Sequence, residues 1–426
     1  MVLATVLIDG NNFYASCEAV VDPSVVGRPL VVLSNNDGCI VSRSAEARAL
    51  GIAMGVPFFK VRTQLERHGV VVRSSNYALY ADMSQRLMAT LERWVEELEI
   101  YSIDEAFGVL HRPADGDLSA WGRDLRRQVQ CHLGLPVAVG IASTKVLAKI
   151  ANRVAKADPA RAGVLDLLAA ADAEALLAQV AIEDVWGIGR RLARWCRLRG
   201  VAHALALRDM PSAELRRKCG VVGLRLQQEL RGVCCLPLVG VAPAKQETCV
   251  SRSFSQPVCE LAPLRQAIAT HLVRAAEKLR QQRQRAGAIT VFVRSSPFDG
   301  TSLYSRAATV TLPLASNDTS VLLAAALPLA ARVFRPHKPL VKAGVLLQQL
   351  QPEALLQHHL LMPITPQQQG RRERLMLVID ALNRRYGRGA VQWAACGLQP
   401  AWAMRRSRLS RAATTCLSQI PVVHAC

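Results

Sequence analysis

The segment Tyr101-Ser102-Ile103-Asp104-Glu105-Ala106-Phe107 places two adjacent carboxylates inside an apolar run with strand character. Adjacent acids repel, and alternation along a strand turns one of them toward a core, where an unpaired charge is expensive. A bound cation removes that difficulty. A third carboxylate, Asp9, ends a second apolar strand, residues 2–8, and the aromatic pair Phe13-Tyr14 follows it. Carboxylates that converge from separate strands supply the hard oxygen ligands magnesium takes, with room left for substrate phosphates. The competing reading is three unrelated surface acids. The apolar flanks, Val6-Leu7-Ile8 on one side and Ile103 and Phe107 on the other, put the acids at buried positions and favour the metal. The chemistry expected is a two-cation clamp on a triphosphate and an attacking hydroxyl.

Other residues fit such a site. Tyr14 stands five positions after Asp9, where a ring can lie under a sugar and exclude a 2′-hydroxyl; a tyrosine of the core or of a helix face is the alternative. Arg48, near Arg43 and Ser44, offers a bidentate fork to phosphate oxygens, and Lys156, at the end of the helix after Ser143-Thr144-Lys145, offers a point charge. Either is otherwise a solvated helix charge. Trp186-Gly187-Ile188-Gly189 has the form of the hairpin in a helix-hairpin-helix. Its glycines let a phosphate approach the backbone, and Arg190, Arg191 and Arg194 add charge. The alternative is an ordinary helix–helix turn. A contact of this kind holds DNA without reading its sequence.

The elements that must position these groups follow from the pattern. At 426 residues and 46.4 kDa the chain exceeds what one core serves, so three or four modules are expected. The net charge is +20 and the pI about 10.0, which favours a nucleic-acid partner over a membrane surface, for which no basic amphipathic anchor is evident. The charge is uneven: residues 1–186 carry −4, residues 187–235 +8, residues 245–345 +9 and residues 346–426 +7. Chemistry in the acidic part and backbone holding in the rest is the division this implies. No targeting signal is expected, since the sequence opens on strand-like residues, and the longest apolar run, residues 321–331, is too short to span a bilayer and contains Pro328. The twelve cysteines include no Cys-x-x-Cys pair, so reduced thiols are expected rather than zinc.

Strands are expected at residues 2–8, 29–34, 99–110 and 137–141, and helices at 12–21, 44–50, 77–98, 118–133 and 144–155, with a turn at Asn35-Asn36-Asp37-Gly38. This is an α+β arrangement, a mostly antiparallel sheet backed by helices. Residues 182–232 read as helical and 236–244 as a linker. A strand–helix–strand–strand–helix–strand module follows at 247–254, 263–285, 288–294, 307–312, 320–331 and 340–348. Beyond residue 351 the Gln-, His-, Pro- and Arg-rich composition reads as partly irregular.

The chain resembles the Y-family DNA polymerases, and within them the UmuC type. The resemblance is carried by Asp9 to Glu18, Val31 to Cys39, Ala45 to Gly51, Ser74 to Ser84, Tyr101 to Phe107, Gly140 to Lys145, Val185 to Gly189 and Val250 to Phe254. It implies a right-hand polymerase, α+β and multidomain: a ferredoxin-like palm (1–22 and 74–165), small fingers (23–73), a helical thumb with the helix-hairpin-helix (166–235), a linker (236–244), a βαββαβ little finger (245–350) and a C-terminal UmuC-type extension (351–426). Asp9, Asp104 and Glu105 fall on the family's catalytic metal ligands for two Mg2+ ions, with the Gly10 main-chain carbonyl. Tyr14 falls on the sugar gate, and Phe13, Arg48 and Lys156 on nucleotide contacts. Gly187, Gly189, Arg190, Arg191 and Arg252 fall on DNA contacts.

Short fingers imply a loosely closed base pair and tolerance of damaged templates. The resemblance implies error-prone translesion synthesis in the SOS response, in the bacterial cytoplasm near the nucleoid. The implied partners are damaged primer-template DNA, dNTPs, a processed UmuD-type dimer, RecA and a sliding clamp, with no membrane. Gln357, Leu360 and Leu361 are the nearest match to a clamp-binding peptide and lack its terminal Phe. Gly10 and Ser44 stand where the family carries an apolar residue and Asn. A metal-dependent nuclease or nucleotide cyclase also uses paired carboxylates, but neither accounts for Tyr14 or for basic modules on both sides of the linker. A non-catalytic damaged-DNA binder is opposed by the intact Asp9, Asp104 and Glu105.

Overall fold

The apolar run that opens the chain forms β1 (Val2–Gly10), a central strand with Ala4, Val6 and Ile8 buried on one face and Leu7 on the other. The structure, a computed structural model, describes residues 2–112, 116–240, 243–298, 303–355, 365–398 and 400–420. It divides into two units, Met1–Ala242 with Ser407–Cys426, and Pro243–Arg406.

In the first unit α1 (Phe13–Val21) follows β1 at once, with Asn12 at its N-cap in the left-handed region. The chain then builds a separate small sheet from β2 (Leu30–Leu33), β3 (Ile40–Arg43), α2 (Ala45–Ala49), α3 (Phe58–Arg67) and β4 (Val71–Ser74). Its order is β3-β2-β4, with β2 and β4 parallel, and Val31, Leu33, Ile40 and Leu65 give it a core of its own. α4 (Tyr77–Leu91) buries Leu79, Met83, Leu87 and Leu91 but stops seven residues short of the expected end.

The next segment corrects the sequence reading. Residues 99–110 are not one strand but a hairpin, β5 (Glu97–Ile100) and β6 (Glu105–Arg112), so Asp104 lies in its turn and Glu105 begins β6. The turn is closed locally. The Tyr101 and Ser102 amides donate to the Glu105 carbonyl (3.0 Å each), and Ser102 Oγ accepts from the Asp104 and Glu105 amides (3.2 and 3.0 Å). A serine that satisfies nearby backbone competes with a continuing ladder.

α5 (Leu118–Leu133), β7 (Val137–Ala142), α6 (Lys145–Ala157) and β8 (Val164–Asp166) complete a five-stranded sheet, order β5-β6-β1-β7-β8, antiparallel except for β7–β8. Residues from α1, α4 and α5 share one core with β1 and β7, while Ala148 of α6 packs with Leu7, Phe107 and Ala142 on the opposite face. Gly140 permits that second layer: a Cβ there would lie 2.3 Å from the Ala148 carbonyl oxygen and the Asn152 amide. Four helices, α7 (Ala173–Gln179), α8 (Arg190–Arg197), α9 (Ala204–Asp209) and α10 (Ser212–Leu230), then pack around a core that includes Val146 and Ile150 of α6.

The second unit holds β9 (Thr248–Val258), α11 (Leu261–Gln281), β10 (Gln284–Ser295), β11 (Ser305–Ser316), α12 (Thr319–Val333) and β12 (Leu340–Pro352). This is the expected βαββαβ order, folded as an antiparallel sheet β11-β10-β12-β9 with longer strands than the pattern indicates. Beyond it the chain, expected to be partly irregular, also holds a helix that the composition does not indicate, α13 (Pro366–Tyr386), 21 residues opened by a capping box at Thr365. Its sequence hides it because packing is mainly ionic. Met376 is buried, while Asp380 receives a bidentate Arg280 (2.7 and 2.8 Å) and Glu373 pairs with Arg285 (2.8 Å). The described cysteines are free thiols.

Candidate active site

The carboxylates meet because of strand register. Asp9 is the direct cross-strand partner of Glu105, and the Gly10 amide donates to the Asp104 carbonyl at 2.8 Å. The hairpin turn therefore locks onto the end of β1. Asp104 is held from the other side, its Oδ1 accepting from Ser102 Oγ at 2.6 Å. A Cβ at Gly10 would lie 3.0 Å from the Phe13 ring, a tight approach that would need the ring to give, and in ordinary contact with Asp104 Cβ at 3.5 Å.

α6 brings cations to these acids. Lys145, Lys149, Asn152 and Lys156 are spaced to fall on one stripe of the helix. Lys156 Nζ lies 2.5 Å from Asp9 Oδ1, and Lys149 Nζ lies 3.0 and 3.2 Å from the Glu105 oxygens. Asn152 pins the helix to the sheet through the Ala138 carbonyl (2.8 Å). Lys145 is buried against Glu99 (2.6 Å). Thr144 and Glu229, the latter at the far end of α10, accept from the first free amides of α6. A carboxylate at a helix N-terminus fixes that end favourably. Lys149 also lies over the rings of Tyr101, Trp186 and Phe107, at 4.6, 5.4 and 5.7 Å from their centroids.

Burial is the main reason that the Asp9 carboxyl is pushed up to about 7; Lys156 pulls it down, and Glu105 adds to the rise. A buried carboxylate against a second carboxylate is a site that needs positive charge, and in this structure two ammonium groups supply it. Among the described residues no three His, Cys, Asp or Glu side chains close on one point. The donor set nonetheless fits a hard divalent cation: oxygen ligands only, from two strand ends and a turn.

Asp9, Glu105, Arg48, Lys156, Trp186 and Gly187 line one cleft of 590 Å³. The structure thus gathers residues that are 9 to 187 in sequence. Asp104 is not among the lining residues, and Phe13 lies in the sheet's core, 3% exposed. Tyr14 is stacked on Tyr80, with centroids 4.3 Å apart and planes at 12°, and meets Tyr77 edge-on. Gly187 takes φ +94°, and exposed Gly189 caps α8, whose Arg190, Arg191 and Arg194 are exposed. Arg252 lies exposed on β9 in the second unit, its guanidinium 3.6 Å from Met404 Sδ. Gln357, Leu360 and Leu361 lie outside the described residues. Sequence reasoning missed Lys149 and Ser102. Lys149 is four residues after Lys145 and seven before Lys156, a periodicity that marks one helix face.

The impB/mucB/samB family profile matches residues 8–153, the C-terminal domain profile of that family matches 245–360, and a domain of unknown function (DUF4113) matches 373–423. The chain is 43% identical over 417 residues to Protein UmuC of Salmonella typhimurium, covering 97% of this chain and 98% of that protein. It is 41% identical over 423 residues to Protein ImpB of the same organism, covering 98% of each. It is 30% identical over 332 residues to DNA polymerase IV of Corynebacterium diphtheriae, covering 76% of this chain and 70% of that protein. Among solved structures, the Y-family DNA polymerase chimera Dbh-Dpo4(243-245)-Dbh aligns with a TM-score of 0.64 at 22% identity, over 82% of this chain and 99% of that one. The insertion ternary complex of Dbh DNA polymerase aligns with a TM-score of 0.52 at 21% identity, over 82% and 99%.

Proposed function

The chain belongs to the impB/mucB/samB family, the UmuC type of Y-family DNA-directed DNA polymerase, and from that premise we propose that it is the catalytic subunit of an error-prone translesion polymerase of the SOS response. Its fold is the right-hand polymerase fold expected from the sequence. In this reading the five-stranded sheet with its helices is the palm, the small β3-β2-β4 sheet the fingers, the helices from α7 to α10 the thumb and the βαββαβ unit the little finger.

The reaction is template-directed transfer of a nucleoside monophosphate. A primer 3′-oxygen attacks the α-phosphorus of a dNTP, the bond to pyrophosphate breaks, and the hydroxyl proton leaves to solvent. Asp9, Asp104, Glu105 and the Gly10 carbonyl would hold two magnesium ions, which when bound acidify the hydroxyl and stabilise the leaving group. The protein's own contribution is orientation and charge. Arg48 and Lys156 reach the triphosphate from opposite sides of the cleft, Tyr14 lies under the sugar with Phe13 behind it, and the Gly187–Gly189 hairpin, with Arg190 and Arg191, grips the DNA backbone, as Arg252 does from the little finger. Lys156 and Lys149 neutralise Asp9 and Glu105 until the ions arrive.

The observation that carries this reading is the register pair Asp9–Glu105 opening on the cleft that Arg48 and Lys156 also line. The assay is primer extension with magnesium on undamaged and abasic templates, comparing the wild type with Asp104→Ala, with a processed UmuD-type dimer and RecA present. Extension by the wild type on both templates and none by the variant is expected; equal activity in the two overturns the site. Clamp binding through Gln357, Leu360 and Leu361 fails if Leu360→Ala with Leu361→Ala leaves clamp pull-down unchanged. No helix among the described residues is long and apolar enough to cross a membrane, and the proposed location is the cytoplasm, at the nucleoid.

A further inference from the structure

Residues 407–420, the end of the last described stretch, belong to the first unit although the chain reaches them from the second. Within it residues 407–411 lie across the seam between the fingers sheet and the palm helices. On the fingers side, Asp37 Oδ2 accepts from both the amide and the hydroxyl of Ser407 (3.1 and 2.8 Å). The Ser74 amide at the end of β4 donates to the Arg408 carbonyl (2.9 Å), and Ser74 Oγ accepts from the Arg408 amide (3.0 Å). On the palm side, Ser410 Oγ donates to Glu18 Oε1 (3.2 Å), and Asn76 Nδ2 donates to Ser410 Oγ and the Arg411 carbonyl (3.0 and 3.4 Å).

These are not incidental surface contacts. Ser74 and Asn76 are buried, and loss of the tail takes partners from the Ser74 amide and the Asn76 side-chain amide away from water, whereas Glu18 Oε1 keeps the Tyr80 hydroxyl (2.6 Å). Asp37, at φ +51°, and Asn36, at φ +61°, take the left-handed backbone that Asp and Asn tolerate best among non-glycine residues, so the turn aims the Asp37 carboxylate at the tail without strain. Its other oxygen already accepts from Ser74 Oγ at 2.6 Å, so Asp37, Ser74 and the tail form one network.

We propose that residues 407–411 are a staple that holds the fingers against the palm and so positions Arg48 over the incoming nucleotide. The fingers join the palm through two chain connections, after α1 and before α4, and the Asp22–Arg73 ion pair (2.8 Å) ties the two together. The staple grips the second connection at Ser74 and Asn76. Arg48, on α2 directly after β3, moves with that sheet; a rotation about the two connections carries it away from Asp9. The staple positions rather than folds the fingers, because that sheet has its own core. This inference rests on the reading that Arg48 contacts the triphosphate.

The test uses the full chain carrying Ser407→Ala, Arg408→Pro and Ser410→Ala together. Hydrogen exchange at residues 71–76 should rise, and single-nucleotide insertion should show KM for the dNTP raised about tenfold, with kcat and primer-template affinity within about twofold, as the loss of a few hydrogen bonds gives. In the otherwise wild-type chain Ser410→Thr, which keeps the hydroxyl, should leave both readouts near wild type, whereas Ser410→Ala should move both. Faster exchange with unchanged KM overturns the positioning role, and unchanged exchange overturns the staple itself. Arg48→Ala, run alongside, separates the two readings. An unchanged KM there removes the Arg48 contact and with it the positioning role, while faster exchange in the staple variant still upholds the staple.

Discussion

Asp9 and Glu105 form the last pair of an antiparallel ladder that runs back to Val2 and Arg112. Their juxtaposition is therefore set by eight consecutive register pairs rather than by side-chain choice. A slip of one residue between the strands would put the two carboxylates on opposite faces of the sheet. The Gly10 amide bond to the Asp104 carbonyl fixes the hairpin turn to the same strand end. Such rigid placement suits a reaction whose rate comes from orientation and charge.

Asp9→Asn should therefore separate activity from stability. Loss of the carboxylate should lower primer extension by at least about 10²–10³-fold, the range for removing one electrostatic group that acts in the transition state. Without divalent ions the same substitution should raise the melting temperature or leave it unchanged, because burial disfavours the Asp9 charge and the released Lys156 is only partly buried. A melting temperature lowered by several degrees in EDTA would show that the Lys156 pair is a net stabiliser and contradict this account.

Much of this site was legible in the chain. Asp9, Glu105, Arg48 and Lys156 are separated by up to 147 residues, yet apolar flanks and helix ends marked them, and they line one cleft. The hairpin at Ser102 was not legible, because its turn is closed by backbone bonds to the Glu105 carbonyl and by one serine hydroxyl, inside a run that reads as a strand. α13 escaped because its packing depends on Asp380 and Glu373 meeting arginines about a hundred residues away, which no local periodicity records. Lys149 was readable in principle from its spacing to Lys145 and Lys156. The docking of residues 407–411 was not, since hydrogen bonds from Ser407 and Ser410 reach back more than three hundred residues.

Tyr14→Ala tests the sugar gate. The ring is held flat against Tyr80 and edge-on to Tyr77, so its position is fixed before any nucleotide binds. Removing it should raise ribonucleotide over deoxyribonucleotide insertion by about 10–100-fold, the size of a steric discrimination of 1–3 kcal/mol, while dNTP insertion falls only a few-fold. Single-nucleotide insertion with paired rNTP and dNTP substrates measures the ratio, and an unchanged ratio removes Tyr14 from the role.

Gly140→Ala tests how α6 is seated. The new methyl would meet the Ala148 carbonyl and the Asn152 amide at 2.3 Å, and neither is a flexible side-chain end that can move aside. Helix α6 must shift, and Lys149 and Lys156 shift with it. A destabilisation of about 3 kcal/mol or more is expected, at the upper end for overpacking, together with loss of extension activity. Denaturant unfolding reads the first effect; a variant as stable and as active as the wild type would show that α6 does not need this close approach.

His271 gives the second unit a pH dependence. It is 2% exposed on α11, its ring lies 5.8 Å from that of Trp402, and its Nε2 has no partner. Burial, with the Arg252 charge adding to it, pushes its pKa down to about 4 from 6.5. Unfolded, the imidazole takes its proton near 6.5; folded, it resists until about 4. The unfolded chain therefore binds the extra proton between those values, so stability is full above about pH 6.5, falls as the pH drops, and levels off below about 4. The whole loss is about 3 kcal/mol from a shift of this size. His271→Gln should flatten the slope between pH 7 and 5 while lowering stability at neutral pH through poorer packing. Thermal unfolding of the full chain at several pH values, wild type against variant, checks it, and parallel slopes in the two proteins would mean that other groups carry the acid sensitivity.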